Sequence, residues 1–207
     1  VSVVDVLVVV ANVLAVVMLL PQVVRLHRTR RVDGVSLTWA AMAVVTNLGW
    51  TGHVLWQELY AAVWGCVAAV ALYAVIAAQL VRLGAPVRPS LPPAVGWAAL
   101  LAVVAAVDRT AGTPLLGLVL AVGFGVQVTP AVRRAWREAA PVGISPTTWL
   151  LTLVSVALWG IYGAVNRDPG IIAFGVLGVP ASAAVLLRWW LTRDARRSAG
   201  QRVAAMA

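Results

Sequence analysis

The stretch LLPQVVRLHRTRRVDGVSLTW, residues 19–39, ends an apolar run in Pro-Gln, crosses a basic segment and restarts at Gly-Val-Ser. Residues 128–149, VTPAVRRAWREAAPVGISPTTW, follow the same plan. Pro21 and Pro130 are 109 residues apart, and so are Arg25 and Arg134, Gly34 and Gly143, and Ser36 and Ser145. At the same offset Thr46 meets Ser155, Trp50 meets Trp159 and His53 meets Tyr162. Beyond that point the alignment takes a one-residue slip. An internal repeat of this kind is a known feature of membrane bundles.

Of the 207 residues, 62% are hydrophobic and 11% are charged, against about 25% charged in a soluble domain. Stretches without Asp, Glu, Lys or Arg cover 6–24, 35–57, 59–81, 89–107, 110–132, 139–166 and 169–187. A bilayer core takes about 20 apolar residues of helix, and backbone groups in lipid have to be satisfied within the segment. The expected fold is therefore an all-α membrane protein with seven transmembrane helices. The fourth is the shortest, since Pro89, Pro92 and Pro93 leave roughly 15 good helical residues before Asp108.

The net charge of +9 comes entirely from arginine, because the chain has no lysine. These arginines lie between apolar runs, not on one face of a soluble fold, so nucleic acid is not an expected partner. Fourteen of the sixteen follow spans 1, 3, 5 and 7, while Arg109 and Arg167 follow spans 4 and 6. Basic loops face the cytoplasm, so the expected protein is multi-pass in the cell membrane, with its N-terminus outside and its C-terminus inside. The repeat sets the organisation: a first triple-helix bundle over 3–83, a linker helix over 84–109, a second bundle over 110–191 and a basic cytoplasmic tail over 192–207. One intervening helix keeps the two three-helix bundles parallel (3+1+3), about an axis along the membrane normal. Proline ends or bends a helix by removing a donor and crowding the preceding turn. Pro21 and Pro130 are thus matched candidates for a gate at the cytoplasmic boundary.

The Pro-Gln at 21–22, the basic loop, GVSLTW and LGWTGHVLW resemble a PQ-loop repeat. TPAVRRAW, GISPTTW and LWGIYGAV are similar to the half-unit of the SWEET and SemiSWEET sugar transporters. The resemblance covers about residues 5–187 and implies a seven-helix SWEET-like form that works by alternating access around a midplane pocket. It also implies hinge prolines in helices 1, 2, 5 and 6. Pro21, Pro130 and Pro146 match helices 1, 5 and 6, Leu37 stands at the helix 2 position, and Gln22 is retained where the second copy has Ala131. The family's sugar-binding asparagines of helices 3 and 7 have no counterpart, with Trp64 and Phe174 standing near those places. An aromatic ring cannot replace an amide that donates and accepts together, so the resemblance carries the fold further than the substrate.

A polar solute needs a few placed polar groups in a largely apolar wall. Thr46 and Trp50 share a helix face beside Asn47, and Ser155 and Trp159 repeat the arrangement. These five are the expected substrate-binding residues, with Pro21, Gln22, Pro130 and Pro146 as hinge or gate. Gly49/Gly52, Gly160/Gly163 and Gly175/Gly178 are expected to allow close helix approach. Asp5, Glu58, Asp108 and Asp168 fall at outer boundaries, and His53, near the outer mouth, is read as a packed or interfacial side chain without a carboxylate partner. Proton-driven carriers use ionisable groups in the membrane, so the expected activity is downhill transport (a uniporter) of a small neutral polar solute, sugar-like by family. Cys66 sits in an apolar run, and the sequence supplies no nucleophile–base or metal set. No enzyme, metal or cofactor is therefore expected. Two alternatives stay open: a non-transporting membrane receptor or scaffold on a PQ-loop bundle, and a PQ-loop transporter of an amino acid or vitamin-like solute. The expected partners are the solute and membrane lipid, with a homo-oligomer left open.

Overall fold

The structure is a computed structural model that describes residues 3–32, 35–138 and 145–193. Gly34, Gly143 and the tail from residue 194 lie outside the described residues. Within them run α1 Val3–Thr29, α2 Leu37–Trp56, α3 Tyr60–Arg82, α4 Leu91–Ala111, α5 Leu115–Arg137, α6 Pro146–Asn166 and α7 Pro169–Leu191. A 3₁₀ turn at Arg88–Ser90 precedes α4. No strand occurs among the described residues.

Six of the seven helices are long and apolar enough to cross a membrane, as in a multi-pass membrane protein. The one that falls short is α2, not the fourth helix. Thr46, Asn47, Thr51 and His53 dilute the hydropathy of α2. Helix α4 runs for 21 residues because its prolines sit in the first turn, where backbone donors have no helical partner in any case.

The backbone itself repeats at an offset of 109. Helix α3 spans 60–82 and α7 spans 169–191, so the matched ends leave no one-residue slip. Ser36 Oγ accepts from Trp39 N and Ser145 Oγ accepts from Thr148 N, both at 3.3 Å. Each is a serine N-cap satisfying an orphan donor of the first turn. At the other ends of α2 and α6, Glu58 and Arg167 both adopt positive φ, 59° and 56°. There Leu59 N bonds Val54 O at 2.8 Å and Asp168 N bonds Gly163 O at 2.9 Å, the long bond of a left-handed helix stop.

Helices α1 and α5 continue past their prolines. Pro21 and Pro130 lie inside the helices, which extend to Thr29 and Arg137, so neither proline is a stop. Each removes a bond that the carbonyl four residues earlier would accept. Pro146 is different. It is the first residue of α6, a position where proline fits without bending the helix.

Helix α3 packs on α1 and α2, and α7 packs on α5 and α6 in the same way. The two sets meet through α1 against α6 and α2 against α5, and α4 lies against α2 and α5. Small residues set the closest crossings, as expected where van der Waals packing drives association. A Cβ on Gly160 would meet Gly175 Cα at 3.1 Å, and one on Gly163 would meet the Ile172 nitrogen at 2.7 Å. Gly178 likewise faces Val156, and Gly49 faces Leu120 at 2.9 Å. Gly52 has nothing within 4 Å of its would-be Cβ, so it is not a contact glycine.

Candidate functional site

A cavity of about 400 Å³ lies between the two sets of helices. It is lined by all five expected substrate residues, Thr46, Asn47, Trp50, Ser155 and Trp159. The cause is periodicity. On α2, positions 39, 43, 46 and 50 form one stripe at helical spacing, and on α6 the stripe is 148, 152, 155 and 159. Every one of these residues lines the cavity, and the two stripes are related by the 109-residue offset. Ala15 and Phe124, Met18 and Gln127, and Leu19 and Val128 extend the matching to α1 and α5.

Not all of the expected polar groups are available to a solute. Thr46 Oγ1 donates to Met42 O at 2.9 Å and accepts from Trp97 Nε1 of α4 at 2.9 Å. Its proton is therefore committed, and one lone pair is left. Asn47 Nδ2 donates to Ala43 O at 2.8 Å, which leaves its second N–H and its carbonyl oxygen. Thr152 Oγ1 donates to Thr148 O at 2.9 Å. Asn12 ties two helices together: Nδ2 donates to Ala61 O at 2.8 Å, joining α1 to α3, with its amide against Gly65.

Aromatic rings that the sequence reading did not select complete the wall. Phe174 stands 5.6 Å from Trp50 and 4.6 Å from Phe124, centroid to centroid, so three helices contribute one continuous ring surface. Trp39 and Tyr73 stack edge to face at 5.2 Å. Because the offset stays at 109, Phe174 matches Gly65, and both line the cavity. Trp64, placed beside Phe174 by the expected slip, is 75% exposed on the outside of the bundle. The gate residues lie outside the lining: Pro21 and Pro130 are exposed. Gln22 carries a buried Nε2 without a partner.

One end of the cavity is closed by a buried cluster of Val8, Val54, Ala62, Tyr162 and Ile171, with Trp50 and Trp159 packed against it. Beside it His53 Nε2 lies 2.9 Å from Asp168 Oδ2, with side chains 2% and 4% exposed. The expectation that His53 lacks a carboxylate partner is therefore corrected. Its partner is 115 residues away, and the packing of α2 and α7 on α5, where Gly117 meets both the His53 ring and Gly170, brings them together. An ionised carboxylate accepts only, so Nε2–H donates whether the ring is neutral or charged. Asp168 also caps α7, with Oδ1 accepting from Ile171 N at 2.8 Å. Burial pushes its carboxyl up, but the hydrogen bonds from His53, Ile171 and Gly170 and the charge of the ring outweigh it. The net effect is to hold the group below the ordinary carboxylate range. The His53 ring sits where Gly117 and Gly170 meet: a Cβ on Gly117 would lie 2.7 Å from the ring and 2.8 Å from Gly170 Cα.

At the same end Asp108 of α4 accepts from Leu115 N at 2.7 Å and Leu116 N at 3.0 Å, capping α5. At the arginine-bearing end, Arg188 of α7 donates to Ala135 O at 3.1 Å and Glu138 O at 3.0 Å, satisfying the last carbonyls of α5. Among the described residues no cluster of His, Cys, Asp and Glu could hold a metal ion. Comparison with protein-family models and with curated proteins finds no match to this chain.

Proposed function

We propose that this chain is a facilitative transporter of a small neutral solute. In this reading it works by alternating access between two parallel three-helix units, α1–α3 and α5–α7, joined by α4. The N-terminus is outside and the arginine-bearing ends are cytoplasmic. The observation that carries the reading is the cavity itself. It lies between the two units, is lined by matched residues of both, and is closed at the His53–Asp168 end. A receptor or scaffold on the same bundle has no need of such a space. The lining reaches the first turns of α2 and α6, at Trp39, Thr148 and Trp149, so this conformation corresponds to the inward-facing state. The PQ-loop resemblance supports the same reading.

In this mechanism the solute rests against Trp50 and Trp159. The bends at Pro21 and Pro130 let the arginine ends approach while the His53–Asp168 end parts. A specific observation favours a second reading, proton-linked transport: ionisable pairs buried in a bundle are frequent proton sites, and His53–Asp168 is one. The pair lies outside the cavity lining, which favours a latch over a solute contact. Uptake into proteoliposomes from a panel of sugars, amino acids and vitamins, with and without an imposed pH gradient, tests both. Facilitation predicts equilibration without accumulation, and Trp50→Ala or Trp159→Ala slows it without blocking membrane insertion. Accumulation that vanishes when the gradient is collapsed would replace facilitation by proton coupling. Failure to take up any panel member would favour the receptor reading.

A further inference from the structure

On the transporter reading above, the cavity lining narrows the class of solute. None of the lining residues is Asp, Glu, Arg or His. A charged solute would lose its hydration there with no opposite charge to replace it, which is severely unfavourable. Zwitterions, carboxylates and phosphates are therefore poor occupants.

The neutral polar groups are fewer than the residue types suggest. The hydroxyl protons of Thr46, Thr148 and Thr152 go to Met42 O, Ser145 Oγ and Thr148 O respectively. What remains on the lining side chains includes the spare N–H and carbonyl of Asn47, the amide of Gln127, the hydroxyls of Ser155 and Tyr73, and acceptor lone pairs on the threonines. The two copies have also diverged across the pseudo-axis. Gly65 corresponds to Phe174, Ala15 to Phe124, and Met18 to Gln127 at the 109-residue offset. The aromatic surface of Trp50, Phe174 and Phe124 therefore has Trp159, Gly65 and Ala15 as its counterpart, one ring against three. A plain hexose carries hydroxyls around its whole rim, and some would turn against these rings and lose their water partners without replacement. The volume, about 400 Å³, falls in the range of pockets that take ligands larger than one sugar ring.

We propose that the occupant is a neutral amphipathic solute carrying a flat apolar ring beside a hydroxylated edge. The ring lies against Trp50, Phe124 and Phe174, and the edge faces Asn47, Gln127 and Ser155. Ring stacking contributes beyond area alone, and the asymmetry of the walls gives the solute one orientation.

The test is calorimetric binding to the full chain in lipid nanodiscs, using 4-nitrophenyl β-glucoside, glucose and 4-nitrophenyl β-glucuronide. The glucoside is expected to bind at least tenfold tighter than glucose, and the glucuronide, which differs by a carboxylate, at least tenfold weaker than the glucoside. Phe174→Ala should erase most of the preference over glucose. Phe174→Leu, which keeps apolar volume and folding, should reduce it. Trp64→Ala, at a lipid-facing position, should leave it unchanged. Equal binding of glucose and glucoside overturns the proposal, as does equal binding of glucuronide and glucoside, or no binding of any probe. Uptake of the bound probe is scored separately. Binding with the stated preference but no uptake refutes the transporter reading and keeps the ligand class. Uptake of glucose in preference to the glucoside does the reverse.

Discussion

The pair between His53 and Asp168 is the contact whose removal has the most calculable cost. His53→Ala leaves the Asp168 carboxylate buried, 4% exposed, with its backbone partners but without its ring donor. Breaking a buried pair from one side costs about 3–5 kcal/mol. Asp168→Asn is milder, because asparagine caps a helix about as well as aspartate. The loss is then mainly the charge on one bond, about 1.5–3 kcal/mol for a hydrogen bond to a charged group. In the double variant no buried charge is left unpaired. The combined cost should then fall short of the sum by about 1.5–3 kcal/mol, well above the ~0.5 kcal/mol within which independent sites add. The assay is equilibrium unfolding of the purified protein in micelles, read by tryptophan fluorescence, for wild type, both single variants and the double. Additivity within ~0.5 kcal/mol would refute the coupling and the latch built on it. The pH dependence has a definite sign. A carboxyl held below its ordinary value of 3.8 contributes fully above that value and loses its contribution as pH falls through the lower, folded-state value. Asp168's own contribution to the stability gap between wild type and Asp168→Asn should thus be lost only below the ordinary carboxylate range.

Gly117→Ala forces a methyl against the His53 ring and the Gly170 backbone, and should destabilise by about 1–3 kcal/mol through overpacking. In the same unfolding assay Gly52→Ala, with open space around it, should be neutral or stabilising by up to about 1 kcal/mol, the usual helix gain over glycine. Pro21→Ala and Pro130→Ala restore a backbone donor in mid-helix and should raise or preserve the melting temperature while slowing uptake; faster uptake would count against a gate. Reporter fusions after residues 30, 86 and 137 should read cytoplasmic and one after residue 110 external, as the arginine distribution requires.

The helical class and most of the spans were legible because an apolar run between charges admits few readings in a bilayer. The offset of 109 is legible too, through pairs such as Ser36 and Ser145, which the structure shows to be the N-caps of α2 and α6. On α2 and α6 the paired polar and aromatic residues single out Thr46, Trp50, Ser155 and Trp159. Nothing in composition marks Trp39, Ala43, Thr148 and Thr152, one and two turns earlier on the same faces, as lining. The ring pair Phe124–Phe174 was missed because the assumed slip matched Phe174 with Trp64, whereas helix ends at 82 and 191 hold the register. His53 and Asp168 could not be paired from sequence at all. Their meeting depends on how α2 and α7 both pack on α5, which no local pattern encodes. The hydroxyl commitment of Thr46 had the same origin, because its partner Trp97 belongs to the helix outside the repeat.

That indole bond gives α4 a mechanical part to play. It is fastened to α2 at mid-depth through Trp97 and Thr46, and to the start of α5 through Asp108 at its far end. The Asp108 tie lies at the same end as the His53–Asp168 pair, whereas at the arginine end no buried hydrophobic cluster of the described residues joins the two units. In the proposed transport mechanism these ties would make the assembly a lever with its pivot at one end, while at the other end α4 stays joined to α2 through Thr38 Oγ1 and Ser90 Oγ at 3.0 Å. A helix of 21 residues is roughly 31 Å long, so a tilt of about 10° about that pivot displaces the other end by about 5 Å. This is more than the thickness of an aromatic ring. A rotation too small to disturb the packing at the fulcrum would be enough to admit or release a flat solute at the opposite mouth.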